Sequence, residues 1–255
     1  MEFLVSAQTD IGISKSTNQD SLLVRIANTA QGRISFAVLC DGMGGLSKGE
    51  VASATVIRAF DNWFNRDFPS LCDAPIEDSV IHSQWCRMIT ELNERIKNYG
   101  LSCGTRLGTT VVAILITQNR YYLLNVGDSR AYEITNVLTQ LTADQTYVAR
   151  EVALGNMTPE QAERDPKKSV LLQCVGASHE VVPDMFFGDA KSNAVYMLCS
   201  DGFRHVLTPN EIFSGFNPSA LVNEHAMNVN SYALIELNKR RGERDNISVA
   251  LIKTV

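Results

Sequence analysis

Eight runs rich in β-branched and aromatic residues, most of them separated by short polar segments, place the strongest constraint on the fold. The runs cover residues 3–9, 21–27, 34–40, 109–117, 121–127, 131–135, 194–199 and 247–255. Short connections such as Gln118-Asn119-Arg120 suit antiparallel pairing, because a parallel partner needs a crossover of about a dozen residues or more. Longer stretches with helical periodicity lie between them. This arrangement predicts a single α+β domain over 1–255, in which helices cover the faces of antiparallel sheets.

The helical stretches, residues 50–68, 79–98 and 218–238, also predict which side chains face the core. The aligned apolar positions are Ala52, Val56, Ala59, Phe60 and Trp63 in the first stretch and Val222, Ala226, Val229 and Ala233 in the last. We expect both stripes to pack against the sheets. Thr158 followed by Pro159 predicts the start of a further short helix, with the threonine as its N-cap.

The composition excludes several classes of protein. Of the 255 residues 45% are hydrophobic and 20% are charged, and the formal net charge is -5, which argues against nucleic acid or an anionic membrane as a partner. No run approaches the roughly 18 apolar residues of a membrane span. Glu2 and the lack of a basic segment at the N-terminus argue against a signal peptide. The six cysteines have no Cys-x-x-Cys spacing, so we expect free, buried thiols in a cytoplasmic protein.

Residues 37–50, AVLCDGMGGLSKGE, end an apolar run with an acid and continue with four glycines. Strand, glycine-rich turn and helix is also the order found in nucleotide-binding proteins. The spacing differs from both phosphate-binding patterns, because Ser47 stands where a dinucleotide fingerprint has its third glycine and Lys48 is followed by glycine. Asp41 would also place negative charge beside a bound pyrophosphate. These features favour a metal-binding loop over a phosphate-binding one.

Further acids stand at the ends of the predicted strands. The five acids at such positions are Asp20, Asp41, Asp128, Asp201 and Asp245. Each alone fits an ordinary turn, but strand ends of one layered domain can converge on one edge. Clustered carboxylates repel one another unless a cation compensates them, and oxygen ligands suit Mg²⁺ or Mn²⁺. None of the four histidines has zinc-ligand spacing. The acids therefore predict a hard-cation site with one or two ions.

Seven segments, in chain order, resemble the metal-dependent type 2C serine/threonine protein phosphatases, and most of all their bacterial branch. The segments are TDIGISKSTNQD, VLCDGMGGLSKGEVAS, GTT, VGDSRAY, LTADQT, LCSDGF and RDNISVALI. The resemblance implies a four-layer α-β-β-α sandwich, with two antiparallel sheets face to face and helices outside. It implies hydrolysis of phosphoserine and phosphothreonine by a water molecule that two divalent cations, Mn²⁺ or Mg²⁺, activate. The implied partners are phosphorylated proteins, substrates of a serine/threonine kinase, and we expect a monomer.

The resemblance also assigns metal-binding roles to individual residues. Asp41 would bridge the two cations, and the carbonyl of Gly42 would help to bind one of them. Asp201 and Asp245 would hold the second cation. Asp128 would hold a third, weaker ion. The predicted catalytic residues are Asp20, Asp41, Asp201 and Asp245, of which Asp20 would orient a water molecule on the metal.

Four positions depart from the usual family pattern. Lys15 stands where the family usually has an arginine that binds the substrate phosphate. A lysine cannot form the bidentate pair of hydrogen bonds that an arginine forms with phosphate, so we expect weaker phosphate binding. Gln19 replaces a common glutamate, and Met43 stands where animal members have a histidine. His205 replaces an acid of many members, so we expect the third site to be weak or empty with Mg²⁺ and more readily filled by Mn²⁺.

Two alternatives remain beside an active phosphatase. A catalytically weak regulator could use the same fold to bind phosphoproteins. A haloacid-dehalogenase-like phosphohydrolase would need Asp-x-Asp after the strand, and Met43 stands there instead. By the same resemblance, residues 145–175 match a segment that forms a mobile flap beside the site, although a plain surface helix explains them equally well.

Overall fold

The computed structural model describes residues 1–44 and 48–255, so residues 45–47 of the glycine-rich motif lie outside the described residues. The strands in this part of the chain are β1 (Phe3–Asp10), β2 (Ser21–Thr29), β3 (Gly32–Cys40), β4 (Gly42–Gly44), β5 (Leu107–Thr109), β6 (Val111–Ile116), β7 (Arg120–Val126), β8 (Arg130–Ile134), β9 (Leu138–Gln140), β10 (Asp184–Asp189), β11 (Val195–Cys199) and β12 (Ile247–Thr254). Two five-stranded sheets have the orders β1-β12-β11-β8-β9 and β10-β7-β6-β3-β2, and β4 pairs with β5. Every pairing is antiparallel, as predicted.

Helices lie outside the two sheets. The described α-helices are α1 (Gly49–Asn62), α2 (Asp78–Ser102), α3 (Tyr147–Ala153), α4 (Pro159–Arg164), α5 (Asp201–Arg204), α6 (Pro209–Phe216) and α7 (Glu224–Arg240). A π-helix (Trp63–Asp67) and a 3-10 helix (Phe68–Asp73) follow α1 directly. The predicted cap of α4 is confirmed, since the Thr158 side chain accepts a hydrogen bond from the Gln161 N–H at 3.3 Å. Within the residues described, no helix is both long and apolar enough to cross a membrane.

The alternation of side chains along β3 shows how the layers are held together. Phe36, Val38 and Cys40 belong to the core between one sheet and the helices α1 and α2. Ala37 and Leu39 belong to the core between the two sheets. Because successive side chains of a strand point to opposite faces, a strand buried on both faces is a continuous apolar run. A third core lies between the other sheet and α5, α6 and α7, which completes the predicted four-layer α-β-β-α sandwich.

Two sequence predictions about these elements are wrong in detail. The predicted strand 109–117 is interrupted at Thr110, which separates β5 from β6. The last predicted helix, 218–238, begins only at Glu224, so Val222, which is 68% exposed, lies before it. Val229 is 50% exposed, so the predicted stripe does not face the core. The buried face of α7 consists of Met227, Ser231, Leu234, Ile235 and Asn238.

Buried polar residues explain the error in α7. Asn238 is fully buried, and its side-chain amide donates to the carbonyls of Phe203 at 2.9 Å and Leu234 at 3.1 Å. These two bonds satisfy the NH₂ group of the amide, whereas its Oδ1 has no partner among the described residues. An apolar stripe alone therefore assigns the wrong face to this helix.

The prediction for the cysteines holds in part. All six are free, but Cys103 is exposed and Cys86 and Cys174 are half-buried. The fully buried thiols are Cys40, Cys72 and Cys199.

Candidate active site

Asp41 follows β3, and the threonines of the Gly-Thr-Thr motif fix its backbone. The N–H of Asp41 donates to Thr110 Oγ1 at 3.0 Å. Its carbonyl accepts from the Thr110 N–H and from Thr109 Oγ1, both at 2.9 Å. The interruption of the predicted strand at Thr110 thus has a function, because it lets both threonines hold the backbone from which the Asp41 carboxylate projects.

Glycine follows two of the acids because the backbone packs tightly there. A Cβ on Gly202 would lie 2.2 Å from the carbonyl oxygen of Asn246, and a Cβ on Gly42 would lie 2.4 Å from that of Gly49. Neither space admits a side chain. The close approach at Gly202 holds Asp201, the first residue of α5, against the segment that leads into β12.

Asp20 lies immediately before β2 and is 8% exposed. Its Oδ2 accepts a hydrogen bond from Ser248 Oγ at 2.6 Å, whereas its Oδ1 is buried and has no partner among the described residues. Asp201 Oδ1 is buried without a partner in the same way. A buried carboxylate oxygen without a partner costs free energy. Two such oxygens at one edge of the domain indicate a place for a ligand.

We call Asp20, Asp41, Asp201 and Asp245 the four-carboxylate cluster, because they act on one another electrostatically. Burial raises the pKa of Asp20 to about 7, and the charges of Asp201 and Asp245 contribute to the increase. Burial and then the charges of Asp20 and Asp201 raise the pKa of Asp41 well above its usual value. A cation bound among these carboxylates would favour their charged forms.

Lys15 lies at the edge of the four-carboxylate cluster. Its Nζ is 2.8 Å from Asp245 Oδ1, and the two side chains are 41% and 39% exposed. Burial alone would lower the pKa of Lys15, but the hydrogen bond and the charge of Asp245 outweigh it, so the pKa is raised. The ammonium group thus lies beside the predicted ligands and is paired with one of them.

The predicted ligands do not form a complete cation site as they stand. In residues 1–44 and 48–255, no three Asp, Glu, His or Cys side chains converge closely enough to hold a metal ion. Asp245 is turned toward Lys15. The residues nevertheless fit divalent cations, because two buried carboxylate oxygens lack partners and Mg²⁺ or Mn²⁺ prefers oxygen ligands. A cation bound by Asp245 Oδ1 would take the position that the Lys15 ammonium group holds.

Asp128, Arg130, Asp144 and Arg204 form a second group of charges, which we call the charged network. Arg130 pairs with Asp144 through two hydrogen bonds, Nε to Oδ1 and Nη2 to Oδ2, both at 2.7 Å. Burial raises the pKa of Asp128 to about 6 and the charge of Asp201 adds to this, whereas Arg204 lowers it. The structure therefore brings Asp128 near Asp201, as predicted from the strand ends, but pairs it with an arginine.

The charged network lines a cleft of about 990 Å³ beneath the segment predicted as a flap. Val148 and Val152 of α3 and Ala162 of α4 form one wall, and Ile212 of α6 contributes to the other. The predicted flap segment thus borders the cleft that contains Asp128.

Glu243 belongs to the site although the sequence analysis did not single it out. Its Oε1 accepts from the N–H groups of Arg244 at 2.7 Å and Asp245 at 2.9 Å. Its Oε2 lies 3.4 Å from His205 Nδ1, and His205 Nε2 lies 3.4 Å from Asp201 Oδ2. The hydrogen bond with Glu243 raises the pKa of His205. The spacing of Glu243 two residues before Asp245 is the sequence signal that could have indicated this role.

Asn246 is a second residue that the sequence analysis did not assign to the site. Its Oδ1 accepts from the Gln19 N–H at 2.9 Å, and its Nδ2 donates to the carbonyls of Ile11 at 2.9 Å and Thr17 at 3.3 Å. These bonds attach both ends of the segment that carries Lys15 to the start of β12. Asn246 therefore positions Lys15 next to Asp245.

A sequence model of the family described as protein phosphatase 2C matches residues 12–226. The match covers well over half of the chain, and the chain belongs to this family.

The similar proteins are bacterial phosphatases. The chain is 32% identical to the serine/threonine protein phosphatase PstP of Mycobacterium tuberculosis over 98% of its own length and 45% of the relative, so it spans about half of that protein. The solved structure of the S. agalactiae serine/threonine phosphatase superposes with a TM-score of 0.82 at 28% identity, over 100% of both chains. The catalytic domain of PstP in complex with two manganese ions has a TM-score of 0.75 at 29% identity, over 98% of this chain and 97% of that one.

Proposed function

We propose that this chain is a protein serine/threonine phosphatase that hydrolyses phosphoserine and phosphothreonine with the help of two divalent cations, Mn²⁺ or Mg²⁺. The observation that carries the proposal is the four-carboxylate cluster, in which Asp20 and Asp201 each have a buried oxygen without a partner among the described residues. Membership of the protein phosphatase 2C family and the two manganese ions in the PstP catalytic domain support it.

The proposed ligand set is the one that the family resemblance implies. Asp41 would lie between the two cations, with the Gly42 carbonyl as an additional ligand of one of them. Asp201 and Asp245 would hold the other. When bound, the cations would lower the pKa of a water molecule and offset negative charge on the phosphoryl oxygens. Asp128 as a ligand of a third, weaker ion remains a prediction of the sequence, and Arg204 lies where it would compete with such an ion.

The remaining residues of the site would act on the water and the substrate. Ser248 holds Oδ2 of Asp20 and leaves Oδ1 free, so Asp20 can accept a hydrogen bond from the attacking water molecule and orient it. Lys15 would bind the substrate phosphate after it leaves Asp245, because a dianionic phosphate is a stronger partner for an ammonium group than a carboxylate that also binds a cation. The physiological substrates would be proteins phosphorylated by a serine/threonine kinase.

The test is hydrolysis of p-nitrophenyl phosphate and of a phosphothreonine peptide in the presence of Mn²⁺. We expect activity that EDTA abolishes and added Mn²⁺ or Mg²⁺ restores, with Asp201→Asn as the inactive control. Full activity after exhaustive chelation would contradict the proposal. Tight binding of the phosphopeptide without turnover would instead identify the alternative, a phosphoprotein-binding regulator on the same fold.

A further inference from the structure

Within the described residues, Arg204 is the cationic side chain in contact with Asp128. The Arg204 Nη2 donates to the Asp128 carbonyl at 3.1 Å and lies 3.8 Å from Asp128 Oδ2. The two side chains are 13% and 10% exposed, so water screens this pair weakly. The guanidinium therefore supplies positive charge directly to the carboxylate to which the family resemblance assigns a third ion.

The rest of the charged network adds to this compensation. Arg204 Nη2 also lies 3.5 Å from Asp144 Oδ2, and Arg130 holds Asp144 in a bidentate pair. Two guanidinium groups thus face two carboxylates, Asp128 and Asp144. A divalent cation at Asp128 would bring further positive charge next to these guanidinium groups, which is unfavourable where the local dielectric constant is low.

His205, the second residue expected near a third ion, is already in contact with other side chains. His205 lies between Asp201 Oδ2 and Glu243 Oε2, at 3.4 Å from each. An ion at Asp128 could recruit His205 only by breaking the contact that joins it to these two carboxylates. At this place Asp128 faces a guanidinium, and the imidazole of His205 is engaged with two other carboxylates.

We propose that the guanidinium of Arg204 takes the place of a third cation at Asp128, so that this chain binds its two catalytic cations and no third ion there. The proposal rests on the proposed function, because it concerns the same metal-binding edge. In this proposal Arg204, and not His205, is the reason that no third ion binds. The sequence analysis instead attributes a weak third site to His205. Arg204 is a positioning residue in this view, since it holds Asp128 and Asp144 and does not touch the substrate.

The experiment counts Mn²⁺ per chain by elemental analysis after equilibrium dialysis against excess Mn²⁺. We expect Arg204→Ser to bind one ion more than the wild type, and the double variant Arg204→Ser/Asp128→Asn to return to the wild-type number. Arg130→Ser is the matched control, because it removes an arginine of the same network that has no recorded contact with Asp128, and it should leave the count unchanged. His205→Asp alone should also leave it unchanged.

Two results would overturn the proposal. One is loss of a bound ion in Asp128→Asn compared with the wild type, since Asp128 would then already hold a cation. The other is a folded Arg204→Ser variant with the wild-type count. If Arg204→Ser does not fold, the comparison of wild type with Asp128→Asn decides alone, and equal counts support the proposal.

A chain that hydrolyses phosphopeptides but holds an ion at Asp128 would overturn this inference and leave the proposed function intact, whereas a chain without bound Mn²⁺ or activity would overturn both.

Discussion

The four-carboxylate cluster and the charged network lie side by side, and they compensate negative charge in different ways. In the network, Asp144 is paired through two hydrogen bonds with Arg130, and Asp128 contacts Arg204. In the cluster, the basic side chains in contact are Lys15, which is 41% exposed and touches Asp245, and His205, which is 39% exposed and touches Asp201. Two carboxylate oxygens of the cluster are buried without a partner in the described part of the chain.

The difference separates a structural role from a functional one. Arginine compensates a buried carboxylate permanently, because its guanidinium stays charged and forms several hydrogen bonds in a fixed geometry. In a site that exchanges ligands, a fixed side chain cannot compensate the negative charge in this way. The carboxylates of such a site stay uncompensated until a mobile cation binds. The cluster therefore has the uncompensated negative charge expected of a metal site. The Arg130–Asp144 pair of the network has the compensation expected of a structural support.

The largest effect should come from removing one carboxylate of the cluster. Asp201→Asn should lower turnover by about 10²- to 10³-fold, the loss that is usual when one element of electrostatic stabilisation is removed. Steady-state kinetics with Mn²⁺ measures it, and Asp41→Asn should behave in the same way. Asp144→Asn, in the network, is the comparison: it should destabilise the fold more than it affects turnover. Equal losses of turnover in both groups would show that the distinction is wrong.

The pH dependence of stability should reveal the uncompensated cluster. The usual pKa of an aspartate is near 3.8, and that of Asp20 is about 7 in the folded chain. As the pH rises from about 4 to about 7, the unfolded chain loses this proton while the folded chain keeps it, so the free energy of unfolding falls. The metal-free protein should therefore be less stable at about pH 8 than at about pH 5.

Urea unfolding in EDTA and in Mn²⁺ across this pH range measures the effect. Bound Mn²⁺ favours the ionised carboxylates, so the stabilisation that it provides should increase with pH. Asp20→Asn should reduce the pH dependence in EDTA, because asparagine does not titrate. An unchanged slope in this variant would assign the pH dependence to other groups.

The close approach at Gly202 offers a smaller, steric way to disturb the cluster. A Cβ at this position would lie 2.2 Å from the Asn246 carbonyl, which belongs to the backbone and cannot turn away. Gly202→Ala should therefore destabilise the chain by about 1–3 kcal/mol, the usual cost of overpacking, and should also displace Asp201. Thermal unfolding and kinetics measure the two effects.

Gly215→Ala in α6 is the matched control. Its Cβ would lie 3.1 Å from Leu234 Cδ1, the end of a flexible side chain that can move. We expect a change in stability of less than about 1 kcal/mol, since alanine also favours the helix. A Gly202→Ala variant as stable as this control would show that the Asp-Gly motif does not depend on close packing.

The sequence predicted those features that depend on local patterns. The buried run of β3 and the position of Asp41 after it follow from hydrophobicity and from the strand end. The cap of α4 at Thr158 follows from two adjacent residues. Each of these rests on interactions within a few positions of the chain, so each can be predicted without knowledge of distant partners.

The features that the sequence did not predict depend on distant partners. Arg204 meets Asp128 across a separation of 76 residues, and nothing in the pattern SDGFRH indicates that contact. Asn238 lies on the buried face of α7 because its side-chain amide donates a hydrogen bond to the Phe203 carbonyl. Thr110 interrupts an otherwise regular strand because Asp41 lies opposite. In each case a tertiary hydrogen bond overrides the local preference.

The smallest effect, and the one that tests the comparison most directly, should come from Lys15. Lys15→Ala should raise KM for a phosphopeptide about tenfold and change kcat less, because a hydrogen bond to a charged group contributes roughly 1.5 kcal/mol. Lys15→Arg makes the cluster more like the network, since a guanidinium can bind phosphate or carboxylate through two hydrogen bonds. If arginine acts mainly on the phosphate, KM should fall. If the introduced guanidinium remains paired with Asp245, as Arg130 is paired with Asp144, the apparent affinity for Mn²⁺ should fall instead. A Mn²⁺ titration of activity distinguishes the two outcomes. An alanine variant with wild-type KM and kcat would show that Lys15 does not bind the substrate.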